Sequence, residues 1–288
     1  MSPAATLDQM IVFLEAHPKL FVLTGAGIST GSGIPDYRDA SGEWKRPPPV
    51  QYRDFVEHRS ARQRYWARSL VGWSAFRRAK PNACHDALAD WESAGRIGHL
   101  VTQNVDRLHQ AAGSRQVTDL HGRLDRVICL GCGGRHHRDW LQQTLVELNP
   151  TLARMSAEIA PDGDACLPDD DGRSLKVPEG PRCGGILKPD VVFFGETIPR
   201  PRVEQAIAAL LAADALLVVG SSLMVYSGFR FCRLAAEHGI PSAAINAGRT
   251  RADSLLDLKL TGRFEEVLGD LGMDPGTMLP CCADDPQP

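Results

Sequence analysis

The sequence predicts an α/β protein: a parallel sheet with helices on both faces, plus a smaller lobe formed by two insertions. Three observations carry that expectation. Short apolar runs alternate with helix-length segments, the pattern of βαβ units. Four of those runs end in glycine or a small polar residue, as strands do where a sheet opens onto a ligand. Two stretches, at about 40–80 and about 122–187, interrupt the alternation.

The elements follow in order. Thr6 to Ala16 places Leu7, Met10, Ile11 and Leu14 at helical spacing. Leu20 to Thr24 is a short apolar run ending in Gly25-Ala26-Gly27, which reads as a buried strand entering a glycine turn. The first insertion is rich in Arg, Trp and Pro, and Arg62 to Arg68 within it reads as a helix. Ala83 to Ala94 is of helical length. Ile97 to Thr102 then leads into Gln103-Asn104-Val105-Asp106, and the short run Val117 to Leu120 precedes His121. The second insertion carries Cys129-Leu-Gly-Cys132 and an irregular acidic stretch, Asp162 to Gly172. Val192, Phe193 and Phe194 read as a buried strand. Arg202 to Ala213 and Phe229 to His238 are helical segments, while Ala215 to Val219 and Pro241 to Ile245 are strands. Those two strands run into Gly220-Ser221-Ser222 and Asn246-Ala247-Gly248.

Composition bounds the function. With 288 residues, 43% of them hydrophobic, the chain can bury a substantial core, which excludes a disordered chain. A net charge of −3 gives no footprint for nucleic acid, which favours a basic face. No apolar run approaches the roughly 18 residues of a membrane span, and the opening residues lack a secretory or transit pattern. A soluble cytoplasmic protein is expected. In that compartment the eight cysteines are poor candidates for disulfides, and the Cys129–Cys132 spacing suits a metal loop or a redox pair. Cys84 and Cys232 read as small buried hydrophobes; Cys281 and Cys282 receive no role.

Taken alone, Gly25-Ala26-Gly27-Ile28-Ser29 is either a phosphate-binding turn or a tight βα connection with no ligand. Thr30 stands where the usual dinucleotide pattern has a third glycine, and no strand ending in an acid follows about 20 residues later. An ordinary hydride-transfer domain is therefore a poor fit. Most lone histidines are structural, and His17, His58, His85, His99, His109, His136, His137 and His238 are read that way.

Longer motifs decide the matter. Gly33-Ile34-Pro35-Asp36-Tyr37-Arg38-Asp39, Thr102 to Asp106, Asp119-Leu120-His121-Gly122, Lys188 to Glu196 and Gly220-Ser221-Ser222-Leu223 stand in one order along the chain. Together they resemble the sirtuins, the NAD-dependent protein deacylases, over about residues 7 to 270. Arg62 to Trp66, Val71-Gly72-Trp73 and Val225-Tyr226-Ser227-Gly228 resemble the class II branch, the sirtuin-4 type and its bacterial relatives.

The resemblance implies a Rossmann-like NAD-binding domain at 1–39, 81–121 and 188–288. It implies a small domain made of a helical module at 40–80 and a zinc-ribbon-like module at 122–187. NAD would be consumed as co-substrate, the acyl group of an acyl-lysine protein or peptide passing to ADP-ribose. Gly25, Ala26, Gly27 and Ser29 would cradle the phosphates, with Asp36, Tyr37 and Arg38 in a loop over the nicotinamide ribose. Gln103, Asn104, Val105 and Asp106 would seat ribose and carboxamide. His121 would be the general base, its ordinary pKa being suited to that task. Gly220, Ser221, Ser222, Asn246, Ala247, Gly248 and Phe264 would hold the adenosine half. Val192, Phe193 and Phe194 would pair with substrate peptide as an added strand. Sirtuins close a structural zinc site with two Cys-x-x-Cys pairs. Cys129, Cys132 and Cys183 match, but Gly180 stands where the fourth cysteine belongs, so Cys166 is the expected substitute, ahead of His136 or His137. A monomer with no nucleic-acid or membrane partner is expected. Protein ADP-ribosyl transfer and non-catalytic NAD sensing are the alternative functions.

Overall fold

The computed structural model describes residues 5–45, 49–155, 157, 163–167 and 174–271. Most of the acidic stretch Asp162 to Gly172 lies outside them, as do Cys281 and Cys282.

The described strands are β1 (Leu20–Thr24), β2 (Ile97–Thr102), β3 (Val117–Asp119), β4 (Gly122–Cys129), β5 (Arg135–His137), β6 (Leu187–Val191), β7 (Ala215–Val219), β8 (Ser242–Ile245) and β9 (Leu258–Leu260). The α-helices are α1 (Leu7–Ala16), α2 (Tyr52–Glu57), α3 (Arg59–Phe76), α4 (Ala83–Ser93), α5 (Leu108–Ala111), α6 (Arg138–Leu148), α7 (Arg200–Leu211), α8 (Tyr226–Glu237) and α9 (Phe264–Val267).

Six strands form a parallel sheet in the order β3-β2-β1-β7-β8-β9. Strand side chains alternate between faces, and both faces are covered here. Leu20, Val22, Leu217 and Val219 pack on one side with Met10, Leu14, Leu88 and Phe264. Phe21, Leu23, Leu216 and Val218 pack on the other with Ala206, Leu210 and Phe231. Burial on both sides explains why β1 and β7 are continuous apolar runs. Each such side chain contributes roughly 1.5–3 kcal/mol. Local signals fix the helix starts: Thr6 caps α1 with Gln9 closing the box, and Asn82 caps α4 with His85.

A second, antiparallel sheet has the order β5-β4-β6. It shares a core with the first insertion: Phe55, Tyr65, Trp66 and Leu70 pack on Val127, Leu141, Leu145 and Leu187. The Trp66 indole donates to the Leu187 carbonyl at 3.2 Å. Helices from one insertion and a sheet from the other thus bury a common apolar surface.

Three expectations need correction. The predicted helix Arg62 to Arg68 is an 18-residue α3, whose Gly72 lets the 163–165 backbone approach so closely that a Cβ there would lie 2.2 Å from the Gly163 carbonyl. Helix α8 starts at Tyr226, three residues before the apolar periodicity does. Strand β6 ends at Val191, so Val192, Phe193 and Phe194 are half-buried residues beyond it and not a buried strand. Strand β6, which the expected 188–288 boundary gives to the larger domain, pairs with β4 of the second sheet.

Candidate active site

Because β1, β2, β7 and β8 are parallel, their carboxyl ends deliver Gly25, Gln103, Gly220 and Asn246 to one edge of the sheet. A cleft of about 440 Å³ lies there, walled on its far side by Val191 to Phe194 and Tyr65.

Glycine is required at its floor. The amide of Gly27 donates to the Gly220 carbonyl at 2.9 Å, and a Cβ on Gly27 would meet that oxygen at 2.9 Å. A Cβ on Gly25 would lie 2.7 Å from that of Ser221. The β1 and β7 turns therefore interlock backbone to backbone, leaving a side-chain-free floor.

The polar groups brace one another. Asn104 Nδ2 donates to the Gly25 carbonyl and to Ser29 Oγ, both at 3.1 Å, and Ser29 in turn donates to Asp106 at 2.8 Å. The Leu108 amide donates to the other Asp106 oxygen at 2.9 Å. Burial pushes the Asp106 carboxyl up, and these two donors pull against it. Gln103 Nε2 donates to Ser221 Oγ at 2.7 Å, joining β2 to β7. Gly228 makes room for this amide, since a Cβ there would lie 2.5 Å from Gln103 Oε1.

His121 follows β3 and faces the cleft. Its Nδ1 lies 2.9 Å from the Gln103 carbonyl and its Nε2 lies 2.8 Å from Ser227 Oγ. A carbonyl only accepts, so Nδ1 carries the hydrogen and Nε2 keeps its lone pair, accepting from the serine hydroxyl. Burial, aided by Arg202 and Arg230, brings its pKa down to about 4 although the Gln103 carbonyl favours the charged form. At neutral pH the ring is thus an uncharged proton acceptor.

The carbonyl of His121 accepts from the Val192 amide at 2.7 Å, tying the cleft's far wall to the histidine. Lys188 and Glu196 hold the rest of that wall. The buried Lys188 ammonium pairs with Glu196 at 3.0 Å and donates to the Pro189 and Val191 carbonyls, while Glu196 accepts from the Phe193 amide at 2.8 Å. The Tyr52 amide donates to the Phe194 carbonyl at 2.8 Å. Across the cleft, Arg38 stacks 3.9 Å over the Trp44 ring and Asp36 pairs with Lys45.

Nearly every residue that the resemblance assigns to NAD, peptide or catalysis lines this cleft. The exceptions are Ser29 and Asp106, which sit behind Asn104 and support it; Ser29 is 1% exposed. Trp44, Met224, Arg249 and Glu265 line the cleft and were missed. Arg249 directly follows Asn246-Ala247-Gly248 and could have been included; Trp44 sits in the first insertion, where no periodicity marks it.

The thiols of Cys129, Cys132 and Cys183 lie within 4.8 Å of one another, the one such cluster of three or more potential ligands among the described residues. Three soft donors at this spacing suit zinc. Cys166, the expected fourth ligand, is not in the cluster: the segment carrying it is held against α3, where the Ala165 amide donates to the Arg68 carbonyl at 2.9 Å. His136 and His137 are outside it too.

Comparison with known proteins agrees with this geometry. The Sir2 family profile matches residues 25–227. An NAD-dependent protein deacetylase of Bordetella bronchiseptica is 59% identical over 270 residues, covering 94% of this chain and 98% of that protein. The human mitochondrial NAD-dependent protein lipoamidase sirtuin-4 is 50% identical over 259 residues, covering 89% of this chain and 82% of that one. Among solved structures, a Sir2 bound to acetylated peptide has a TM-score of 0.73 at 26% identity, covering 94% of this chain and all of that one. A Sir2 with p53 peptide and NAD+ has a TM-score of 0.72 at 27% identity over the same shares. With 70% of its length inside the profile and close relatives along nearly all of it, the chain belongs to the Sir2 family.

Proposed function

We propose that this protein is an NAD-dependent protein lysine deacylase that passes the acyl group of acyl-lysine to ADP-ribose and releases nicotinamide. One observation carries the reading: an uncharged His121, with Nδ1–H fixed by the Gln103 carbonyl, stands in a glycine-floored cleft and is bonded through its own carbonyl to the edge that would receive peptide.

NAD supplies a glycosidic carbon that reacts once nicotinamide leaves. The chain's residues do the rest. Gly25, Ala26 and Gly27 admit the phosphates against bare backbone. Gln103 and Asn104, braced by Ser29 and Asp106, orient ribose and carboxamide. His121 accepts a ribose hydroxyl proton at Nε2, for which the bond to Ser227 must give way. Preorganised dipoles lining the cleft suit a step that develops positive charge on the sugar. Asp36, Tyr37 and Arg38 form the adjacent loop, and Ser221, Ser222, Asn246, Ala247, Gly248 and Phe264 the adenosine side. Val192 to Phe194 would pair with peptide through main-chain hydrogen bonds, which tolerate varied sequence. The deacetylase and lipoamidase names of the relatives support an acylated-lysine substrate.

Cys129, Cys132 and Cys183 would hold one structural zinc, whose loss would act through folding of the smaller lobe. We assign 40–80 with 122–187 to that lobe and 1–39, 81–121 and 188–288 to the larger domain, with β6 reaching across to pair with β4. Among the described residues no helix is long and apolar enough to cross a membrane; we place the protein in the cytoplasm, as a monomer.

Incubation with NAD and an acetylated peptide is expected to yield nicotinamide, deacetylated peptide and O-acetyl-ADP-ribose in equal amounts. Labelled protein with the peptide left acetylated would instead establish ADP-ribosyl transfer. Undiminished NAD would overturn both.

A further inference from the structure

The cysteine cluster is built from two backbone turns with the same hydrogen bonds. In the first, the Cys129 amide donates to the Gly134 carbonyl at 2.8 Å, and the Gly133 amide donates back to Cys129 at 2.9 Å. In the second, the Gly180 amide donates to the Gly185 carbonyl at 2.8 Å, and the Gly184 amide donates back to Gly180 at 2.8 Å. Gly133 and Gly184 take matching left-handed conformations, φ 69° and 68°. The turns superpose in pattern: Cys132 corresponds to Cys183, and Cys129 to Gly180.

Gly180 therefore holds the backbone position of a fourth ligand without the side chain. The surroundings agree. A Cβ on Gly180 would lie 2.7 Å from Cys129 Sγ, so this thiol leans into space that a fourth side chain would take. Cys129 Sγ and Cys183 Sγ are 3.4 Å apart. Thiolates about 2.3 Å from one zinc ion lie roughly 3.8 Å from each other, so a small outward shift of either sulfur accommodates the metal.

We infer that this knuckle binds zinc through Cys129, Cys132 and Cys183 alone, its fourth position at Gly180 being left to a water molecule that a small thiol can displace. The inference rests on the proposal that the cysteines hold zinc. It differs from a closed four-sulfur site in kind, since zinc sites with three protein ligands exchange their fourth.

X-ray absorption at the zinc edge of the full-length, zinc-loaded chain tests it. The expected first shell is three sulfurs at about 2.3 Å and one oxygen at about 2.0 Å, with an added small thiol raising the sulfur count to four. Gly180→Cys is expected to show four sulfurs without added thiol and to release zinc to a chromophoric chelator at least tenfold more slowly than the wild type. Gly180→Ala, which adds the Cβ but no donor, is expected to show no slowing. Four sulfurs in the wild type, reduced to three by Cys166→Ser, would overturn the inference, as would a histidine scattering signature abolished by His136→Ala. These readings leave the zinc proposal standing, whereas a chain that retains no zinc at all sinks that proposal and this inference together. Should Gly180→Cys fail to fold, the wild-type and Cys166→Ser spectra still decide.

Discussion

The cleft and the cysteine knuckle both depend on glycine, in opposite ways. At the cleft floor Gly25 and Gly27 are needed because backbone must approach backbone; they add to the site by removing side chains. At the knuckle Gly180 removes a side chain where the chemistry wants a donor. The cleft also has redundancy: Asn104, Ser29 and Asp106 form one chain of hydrogen bonds, so each polar group has a partner before any ligand arrives. The knuckle counts ligands one by one and has no such reserve. Binding by conformation tolerates variation in side chains, and binding by coordination does not.

The largest expected effect breaks the cleft at its proton acceptor. His121→Ala should lower deacylation at least ~100-fold while calorimetry registers NAD binding within a few-fold of wild type; a tenth of wild-type activity surviving would remove His121 as the base. Next comes the floor. Gly27→Ala forces a Cβ against the Gly220 carbonyl, where neither backbone can yield. A cost of about 1–3 kcal/mol and a loss of NAD affinity of roughly tenfold or more are expected. In the knuckle, Gly133→Ala meets nothing within 4 Å and bears only its left-handed strain, so NAD affinity there should not change. Equal losses of affinity in the two variants would erase the contrast.

Acidity separates the regions further. His121 and His85 are held neutral to about pH 4 by burial, and His109 is lowered in the same way. Their folded pKa values lie below the ordinary 6.5, so the unfolded chain binds more protons between those limits and stability falls as pH drops through that window. Denaturant titrations at pH 7, 6 and 5 should show a decline of up to about 1.4 kcal/mol per pH unit for each buried histidine. The acid limb of kcat/KM should lie well below 6.5; a limb at 6.5 would mean that His121 titrates as if in water. The smallest effect concerns the far wall. Glu196→Gln should raise KM for peptide several-fold with KM for NAD unchanged, because the Phe193 amide loses a charged acceptor. A matching rise for NAD would deny the wall its peptide role.

Much of this was legible in the chain. The bounds of β1 and β7 follow from apolar runs closed by glycine, and the cleft edge from four such endings. The start of α8 was not, because Tyr226, Ser227 and Gly228 are set by what they touch, Ser227 by His121 and Gly228 by Gln103, and not by helical periodicity. The supporting positions of Ser29 and Asp106 behind Asn104 were hidden for the same reason.

By itself the sequence determined the alternating strands and helices and the glycine turns, since each is written in residues a few positions apart. Tertiary structure alone decided that Gln103 meets Ser221 across 118 residues, that His121 keeps its lone pair at Nε2, and that Cys166 stands away from the other thiols. Those outcomes depend on which distant backbones come into contact, and short-range patterning carries no record of that.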